Sequence, residues 1–301
     1  MRPPRMLAVG YLSIDRIETP HGRYGDMPGG AALYTALGIR HAGGQAAILA
    51  AVGDDYPEQW LRDLADFGID VSRVQRLPGP TRRAVLKHTT AGRLSPLHND
   101  RLWWERSLAL APVPQGDERS FDGVVACPMP MDALCAVVDW AGQNHLPTVA
   151  DTSEAFATHS SSRLLVLLNK LVAFAPSREE TRLLFPELAD DAAAVALAQH
   201  GVHVLQKRGA DGALAVPAGS CLPSTIVAPL TNAVDPTGAG DATVGALATR
   251  LCAGEEFVFA ATHSLQTGAA AVGGIGPSGF GLTVTTSPRA LDPLFYEPSH
   301  H

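Results

Sequence analysis

Seven residues in the last quarter of the chain, Asp235-Pro236-Thr237-Gly238-Ala239-Gly240-Asp241, have the types and spacing that phosphoryl transfer requires. Gly238 and Gly240 lack a Cβ, so the chain can turn tightly and bring its backbone close to a ligand. Asp241 opens an apolar run ending near Gly254 that reads as a helix. The first N–H groups of a helix have no internal partner, and with the positive end of the helix dipole they make an anion site. Gly238, Ala239 and Gly240 are therefore the expected anion hole. A carboxylate beside such a site is disfavoured by phosphate charge and by burial, although the helix dipole favours its ionised form. Its placement makes sense if Asp241 orients a hydroxyl and accepts its proton, while the amides stabilise charge on the transferring group. The competing structural reading makes Asp241 an ordinary N-cap. A bare G-x-G-D would favour that reading; the seven-residue string ahead of an apolar helix does not.

Other motifs argue against rival chemistries. Gly274-Ile275-Gly276-Pro277-Ser278-Gly279 has the G-x-G-x-x-G pattern, but it follows an Ala-rich helical stretch and contains a proline. A dinucleotide fingerprint needs a preceding strand and a following helix with further βα units, so this segment is expected to line the adenine pocket instead. No G-K-[ST], H-E-x-x-H or G-x-S-x-G occurs. Asp151 ends an apolar run and reads equally well as a turn residue or as a border of the site.

These residues need a scaffold, and the pattern supplies one. Apolar runs that read as strands are Met6–Tyr11, Ala46–Val52, Gly123–Cys127, Pro147–Asp151, Leu171–Ala175, Val202–Gln206 and Ala213–Val216. Helical patterns cover Ala31–His41, Glu58–Phe67, Met131–Gln143, Glu179–Leu184, Asp191–His200, Asp241–Ala253 and Glu256–Val272. Runs such as VVAC and VHVL are apolar without strict alternation, as expected for a parallel sheet covered on both faces. Alternating β and α units imply an α/β fold. Residues 80–106 are more polar, with weak strand character; with the loop 14–26 they are expected to form a small β lid on a single domain spanning 1–301.

The bulk numbers agree. With 301 residues, 46% hydrophobic and 18% charged, the chain has the profile of a globular protein with a sizeable core. A net charge of −7 argues against a nucleic-acid footprint. Cys127, Cys135, Cys221 and Cys252 are widely spread and read as buried free thiols in a reducing compartment. The apolar run after Arg5 is too short for a signal peptide. Residues 257–288 lack Asp, Glu, Lys and Arg, but their polar and glycine breaks do not suit a bilayer span. A cytoplasmic protein is expected.

The string DPTGAGD resembles the D-T-T-G-A-G-D signature of the ribokinase-like (PfkB) carbohydrate kinases, with Pro236 in place of Thr. The resemblance runs along nearly the whole chain. GYLSID ends in Asp15, where the family has an acid that binds substrate hydroxyls. PGGAALYTALGIRHAG resembles its first glycine motif, so Gly29 and Gly30 would approach the acceptor; Leu33 and Tyr34 stand where some relatives have asparagine. APSREETRLL resembles N-x-x-E, with Ser177 for asparagine and Glu180 matching the acid that organises water around Mg²⁺. QKRGADGAL resembles K-x-G-x-x-G, which puts Lys207, Gly209 and Gly212 on the nucleotide side together with Thr237. The family fold this implies is a Rossmann-like three-layer sandwich with a mainly parallel sheet and a small lid.

The resemblance implies transfer of the γ-phosphate of ATP, with Mg²⁺, to a hydroxyl of a small polyol. A sugar or a cyclitol such as inositol ranks first and a nucleoside second. It also implies a monovalent cation, K⁺, near Asp235 and Thr237. Expected partners are the small-molecule acceptor and ATP, with no nucleic acid and no membrane; a homodimer stays open. The alternative from another class is a non-catalytic sugar- or nucleotide-binding protein on the kinase scaffold.

Overall fold

Met6 and Ala8 pack into one buried cluster while Leu7 and Val9 pack into another, so the first strand is apolar on both faces because both faces are covered. The same alternation recurs at Val125 against Val124 and Ala126, and at Leu205 against Val204. The computed structural model that shows this describes residues 2–20, 22–89, 92–94, 101–116, 120–158 and 161–284. In chain order the first elements are β1 (Arg5–Val9), β2 (Ser13–Thr19), β3 (Gly22–Gly29), α1 (Ala31–His41), β4 (Gln45–Val52), α2 (Glu58–Asp66) and β5 (Ile69–Arg76). Next come β6 (Arg83–Thr89), β7 (Gly92–Leu94), α3 (Arg101–Ala109), β8 (Gly123–Ala126), α4 (Met131–Gln143), β9 (Thr148–Ala150), α5 (Glu154–Thr158), α6 (Ser161–Leu167) and β10 (Ala173–Phe174). The last are α7 (Arg178–Leu184), α8 (Asp190–Ala198), β11 (His203–Lys207), β12 (Ala213–Val216), β13 (Ser224–Ile226), α9 (Ala239–Cys252) and α10 (Phe257–Ala271).

The central sheet has the order β13-β12-β11-β10-β9-β8-β1-β4-β5. Strands β5 to β11 in that order pair in parallel, and β12 and β13 close one edge antiparallel. Helices α1, α2, α9 and α10 bury their apolar sides on one face; α4, α6 and α8 do so on the other. The result is an α/β three-layer sandwich. Helices α1 and α9 touch backbone to backbone. A Cβ on Gly38 would fall 2.1 Å from the Ala242 carbonyl oxygen, and one on Gly245 would fall 2.2 Å from that of Thr35. The two glycines thus let the helix that begins at the DPTGAGD turn lie flush on the helix that follows Gly29 and Gly30.

A second, four-stranded sheet has the order β3-β2-β6-β7. Residues 14–26, read as a loop in sequence, are the β2–β3 hairpin, because Ile17 and Met27 have a small core of their own with Leu86. Ion pairs brace this sheet, with Arg83 reaching Asp26 at 3.3 Å and Arg16 reaching Asp26 at 2.6 Å, and one ties it to the central sheet, Arg83 to Asp55 at 2.8 Å just after β4. Burial acts to raise Asp55, but hydrogen bonds from Thr81 and the Arg83 guanidinium outweigh it and hold the carboxyl below its ordinary range. The expected lid segment 80–106 needs one correction. It is not strand throughout, because Arg101–Ala109 is helical and its Trp103 and Trp104 pack on Phe156. Residues 95–100 of that segment lie outside the described residues. The thiols need another: only Cys127 is buried, and Cys221 is exposed. Among the described residues no helix is long and apolar enough to cross a membrane.

Candidate active site

The candidate residues gather where parallel strands end. Asp151 follows β9, Lys207 ends β11, and Cys127 follows β8, at the carboxyl edge where open α/β sheets bind ligands. The DPTGAGD turn approaches that edge from the side. Gly238 takes a left-handed conformation (φ 73°) as the N-cap of α9, so the helix begins at Ala239, two residues earlier than the sequence pattern suggests. A Cβ on Gly238 would fall 2.0 Å from the ring of Tyr34, so both the turn and the packing require glycine. Asp241 lies in the first turn of α9. Thr35 of α1 donates to the Asp241 carbonyl at 3.3 Å and contacts the Cys127 sulfur at 3.4 Å. Burial pushes the Cys127 thiol well up, and the fields of Asp241 and Asp151 add to the shift.

Lys207 lies on the other side of the same turn. Its Nζ sits 3.4 Å from where a Cβ of Gly240 would be, and it donates to Asp151 Oδ2 at 2.5 Å. Burial works against the ammonium charge, but Asp151, Glu180 and Asp241 outweigh it and hold Lys207 above its ordinary value. Glu180 is buried in a capping box at the start of α7: its Oε2 accepts the Ser177 N–H at 2.6 Å, and its own N–H donates to Ser177 Oγ. Burial, reinforced by Asp151, pushes Glu180 up to about 8. Serine in place of asparagine at 177 therefore keeps a cap on α7. Gly209 and Gly212 both have positive φ in the β11–β12 turn. A Cβ on Gly212 would fall 2.0 Å from the Ile226 carbonyl, so that glycine is accounted for by packing on β13.

On the other side of Tyr34 lie the acceptor-side candidates. Asp15 is 3% exposed in β2 and accepts from Ser13 Oγ at 2.6 Å. A Cβ on Gly29 would fall 1.8 Å from Asp15 Oδ2, so Gly29 makes room for this carboxylate. Gly30 turns at φ 97° to start α1. The Tyr34 hydroxyl is buried with no hydrogen-bond partner. Burial pushes it well up, and Asp15, Asp235 and Asp241 each add to the rise. An orphaned phenol within the field of three carboxylates is the feature that the sequence pattern, which marks Tyr34 only as a departure, does not disclose.

Thr237 connects the turn to the second sheet. Its N–H and hydroxyl donate to Asp235 Oδ1 at 3.0 and 2.7 Å. Having given its one proton to Asp235, the hydroxyl must accept from His88 Nε2 at 2.8 Å, so that imidazole nitrogen carries the proton. The same nitrogen is 3.3 Å from Asp235 Oδ1, and Gly276 N–H donates to Oδ2 at 2.7 Å. The segment expected along the adenine pocket thus packs here: a Cβ on Gly276 would fall 2.6 Å from Met27 Sδ and 3.6 Å from the Tyr34 hydroxyl.

The implied ions fare differently. Among the described residues no group of three or more His, Cys, Asp or Glu side chains converges to hold a metal. A monovalent cation on Asp235 Oδ1 does not fit, because that oxygen already faces three donors.

Comparison with known proteins bears on the family and the fold. Residues 4–281 match the pfkB family carbohydrate kinase. A cytidine kinase of Thermococcus kodakarensis is 31% identical over 133 residues, which span 44% of this chain and 41% of that protein. The fold is similar to that of a Burkholderia thailandensis nucleoside kinase solved with inosine (TM-score 0.72, 18% identity, 91% of each chain). It is also similar to that of a ribokinase of Cryptococcus neoformans solved with ADP (TM-score 0.73, 20% identity, 92% and 96% of the two chains). A match over almost the whole chain, on a fold that brings the glycine turn and its acid to the sheet edge, shows that this protein belongs to the pfkB family of carbohydrate kinases, phosphotransferases that act on alcohol groups.

Proposed function

We propose that this chain transfers the γ-phosphate of ATP to a hydroxyl of a small polyol, with Asp241 as the base. The observation that carries the reading is the junction of Gly238, Gly240 and Lys207. A left-handed turn opens α9 with no side chain capping its first amides, of which Ala239 N–H donates to the Pro236 carbonyl at 3.3 Å; an ammonium is fixed beside Gly240, and a carboxylate stands in the same helical turn. The amides of Gly238, Ala239 and Gly240 hold the transferring group, and Lys207 adds positive charge on the nucleotide side. Asp15, with Gly29 and Gly30 shaping the backbone beneath it, orients the acceptor hydroxyls. Asp241 aligns the attacking hydroxyl and takes its proton. Mg²⁺ bound with the nucleotide would neutralise phosphate charge, and Glu180 would organise the water around it.

A sugar or cyclitol ranks first as acceptor. A nucleoside is the second reading, favoured by the match to the cytidine kinase over residues it shares with this chain. We place the enzyme in the cytoplasm, in keeping with four free cysteines.

The test is ADP release from ATP across a panel of polyols and nucleosides. Acceptor-dependent ADP with at least one class is expected. ATP binding without turnover of any acceptor would favour the non-catalytic alternative.

A further inference from the structure

Arg82 is placed unlike any of its charged neighbours. It lies between β5 and β6, and its carbonyl accepts the Ile14 N–H at 2.9 Å, one residue before Asp15. Its guanidinium carbon stands 4.0 Å from the Tyr11 ring centroid and 4.6 Å from that of Trp103. Trp103 is stacked on Phe156 in turn, at 5.7 Å and 27°. The Tyr11 hydroxyl is committed to the Ser107 carbonyl. The guanidinium is thus gripped between aromatic rings, an arrangement that fixes its plane and leaves its N–H edge as the surface for recognition.

That edge is not spent. Arg83 and Arg16 on the adjoining strands pair with Asp26 and Asp55. Arg106, Arg178 and Arg250 also leave Nε buried without a partner, yet Arg178 and Arg250 each use an Nη on a carboxylate, Asp211 and Glu255, and Arg106 uses Nη2 on the Pro78 carbonyl at 3.5 Å. Among the described residues Arg82 makes no ion pair and no side-chain hydrogen bond, and its Nε is buried without a partner. It lies close enough to Asp15 to feel that carboxylate's field. A cation partly withdrawn from water with a buried donor unpaired is unfavourable unless something anionic meets it. Its closeness to Asp15, on the acceptor side, puts that anion on the acceptor.

We propose that Arg82 anchors an anionic group of the acceptor, a carboxylate or a phosphate monoester, while a hydroxyl of the same molecule reaches Asp241. This rests on the kinase reading and narrows it to an acidic polyol. A bidentate carboxylate or phosphate suits the Arg82 edge, whereas a neutral sugar or nucleoside leaves it unpaired.

Matched acceptors test this: ribose, ribonate and ribose 5-phosphate, with glucose, gluconate and glucose 6-phosphate, and cytidine as the neutral nucleoside. With the wild-type chain, kcat/KM is expected to favour one anionic form over its neutral parent by about thirtyfold or more, as for a desolvated charge pair. Whether ribonate and gluconate or the two phosphates are favoured identifies the group. Arg82→Met keeps a stem between the rings; it should cut that ratio at least about tenfold while KM for ATP changes little. Arg82→Lys, which keeps charge but not the fork, should recover part of the ratio. A thermal-shift series with the same compounds reads binding without turnover, and anions should raise Tm of the wild type more than of Arg82→Met. Turnover of cytidine or neutral sugars that equals turnover of the anions would overturn the anchor and leave the kinase reading standing. Loss of the same size for neutral and charged acceptors in Arg82→Met would mark a structural pillar and overturn it too. So would the absence of any anion-dependent rise in Tm.

Discussion

Asp151, Glu180 and Asp241 hold Lys207 above its ordinary value against the cost of burial, while burial and the neighbouring Asp151 push Glu180 up to about 8. Folding raises Glu180 from 4.5 to about 8, so between those values the folded state binds more protons than the unfolded one. Stability therefore falls as pH rises through that window. Glu180→Gln should flatten the decline of Tm between pH 5 and 8, roughly the span between the two pKa values. An unchanged slope would show that the proton sits elsewhere in the Lys207–Asp151 cluster. At this scale the sequence disclosed the motif acids but not their company. Asp151 ends an apolar run and could be a turn residue as readily as the partner of Lys207. His88 was one of several polar residues in a polar stretch. Both identities depend on contacts across at least 56 residues of chain, which no local pattern encodes.

Elements carry the site by touching where glycines allow it. Gly245 lets α9 press on α1, which in turn holds the Asp241 carbonyl through Thr35. Gly245→Val should therefore force the helices apart, costing about 1–3 kcal/mol of stability by overpacking, and should lower turnover as Asp241 moves. Denaturant melts and kcat at saturating ATP check both. Stability lost with turnover intact would separate the helix contact from the site. The second sheet reaches the same turn through His88. His88→Ala should raise KM for ATP several-fold, on the order expected for one lost hydrogen bond to Thr237, and His88→Gln, which keeps an N–H donor, should restore part of it. Because Asp235 Oδ1 is already met by donors, replacing K⁺ by a bulky organic cation should leave the rate of the wild type nearly unchanged. The bounds of α1, α4 and β12 were legible from periodicity alone, since each is a long or flanked apolar run. The β2–β3 hairpin and α3 were not. Their patterns are polar because they face one small core, or the edge of a large one, on a single side only.

The molecule as a whole brings two sheets to one edge: the ends of parallel strands deliver Lys207 and Asp151, and the smaller sheet delivers Asp15 and His88, with Arg82 just ahead of β6. Between them, the DPTGAGD turn is contacted from both sides, by Lys207 at Gly240 and by Tyr34 at Gly238. The alternation of strand and helix made the central sandwich legible in the sequence. The placement of the second sheet required the long-range pair of Arg83 with Asp55. The central claim is that Asp241 takes the proton of the attacking hydroxyl. The most direct measurement compares wild type and Asp241→Asn for kcat with the best acceptor and for ATP affinity. The account predicts a fall in kcat of about a hundredfold or more, as for a lost general base, with ATP bound as tightly as before. Turnover within a few-fold of wild type would contradict it.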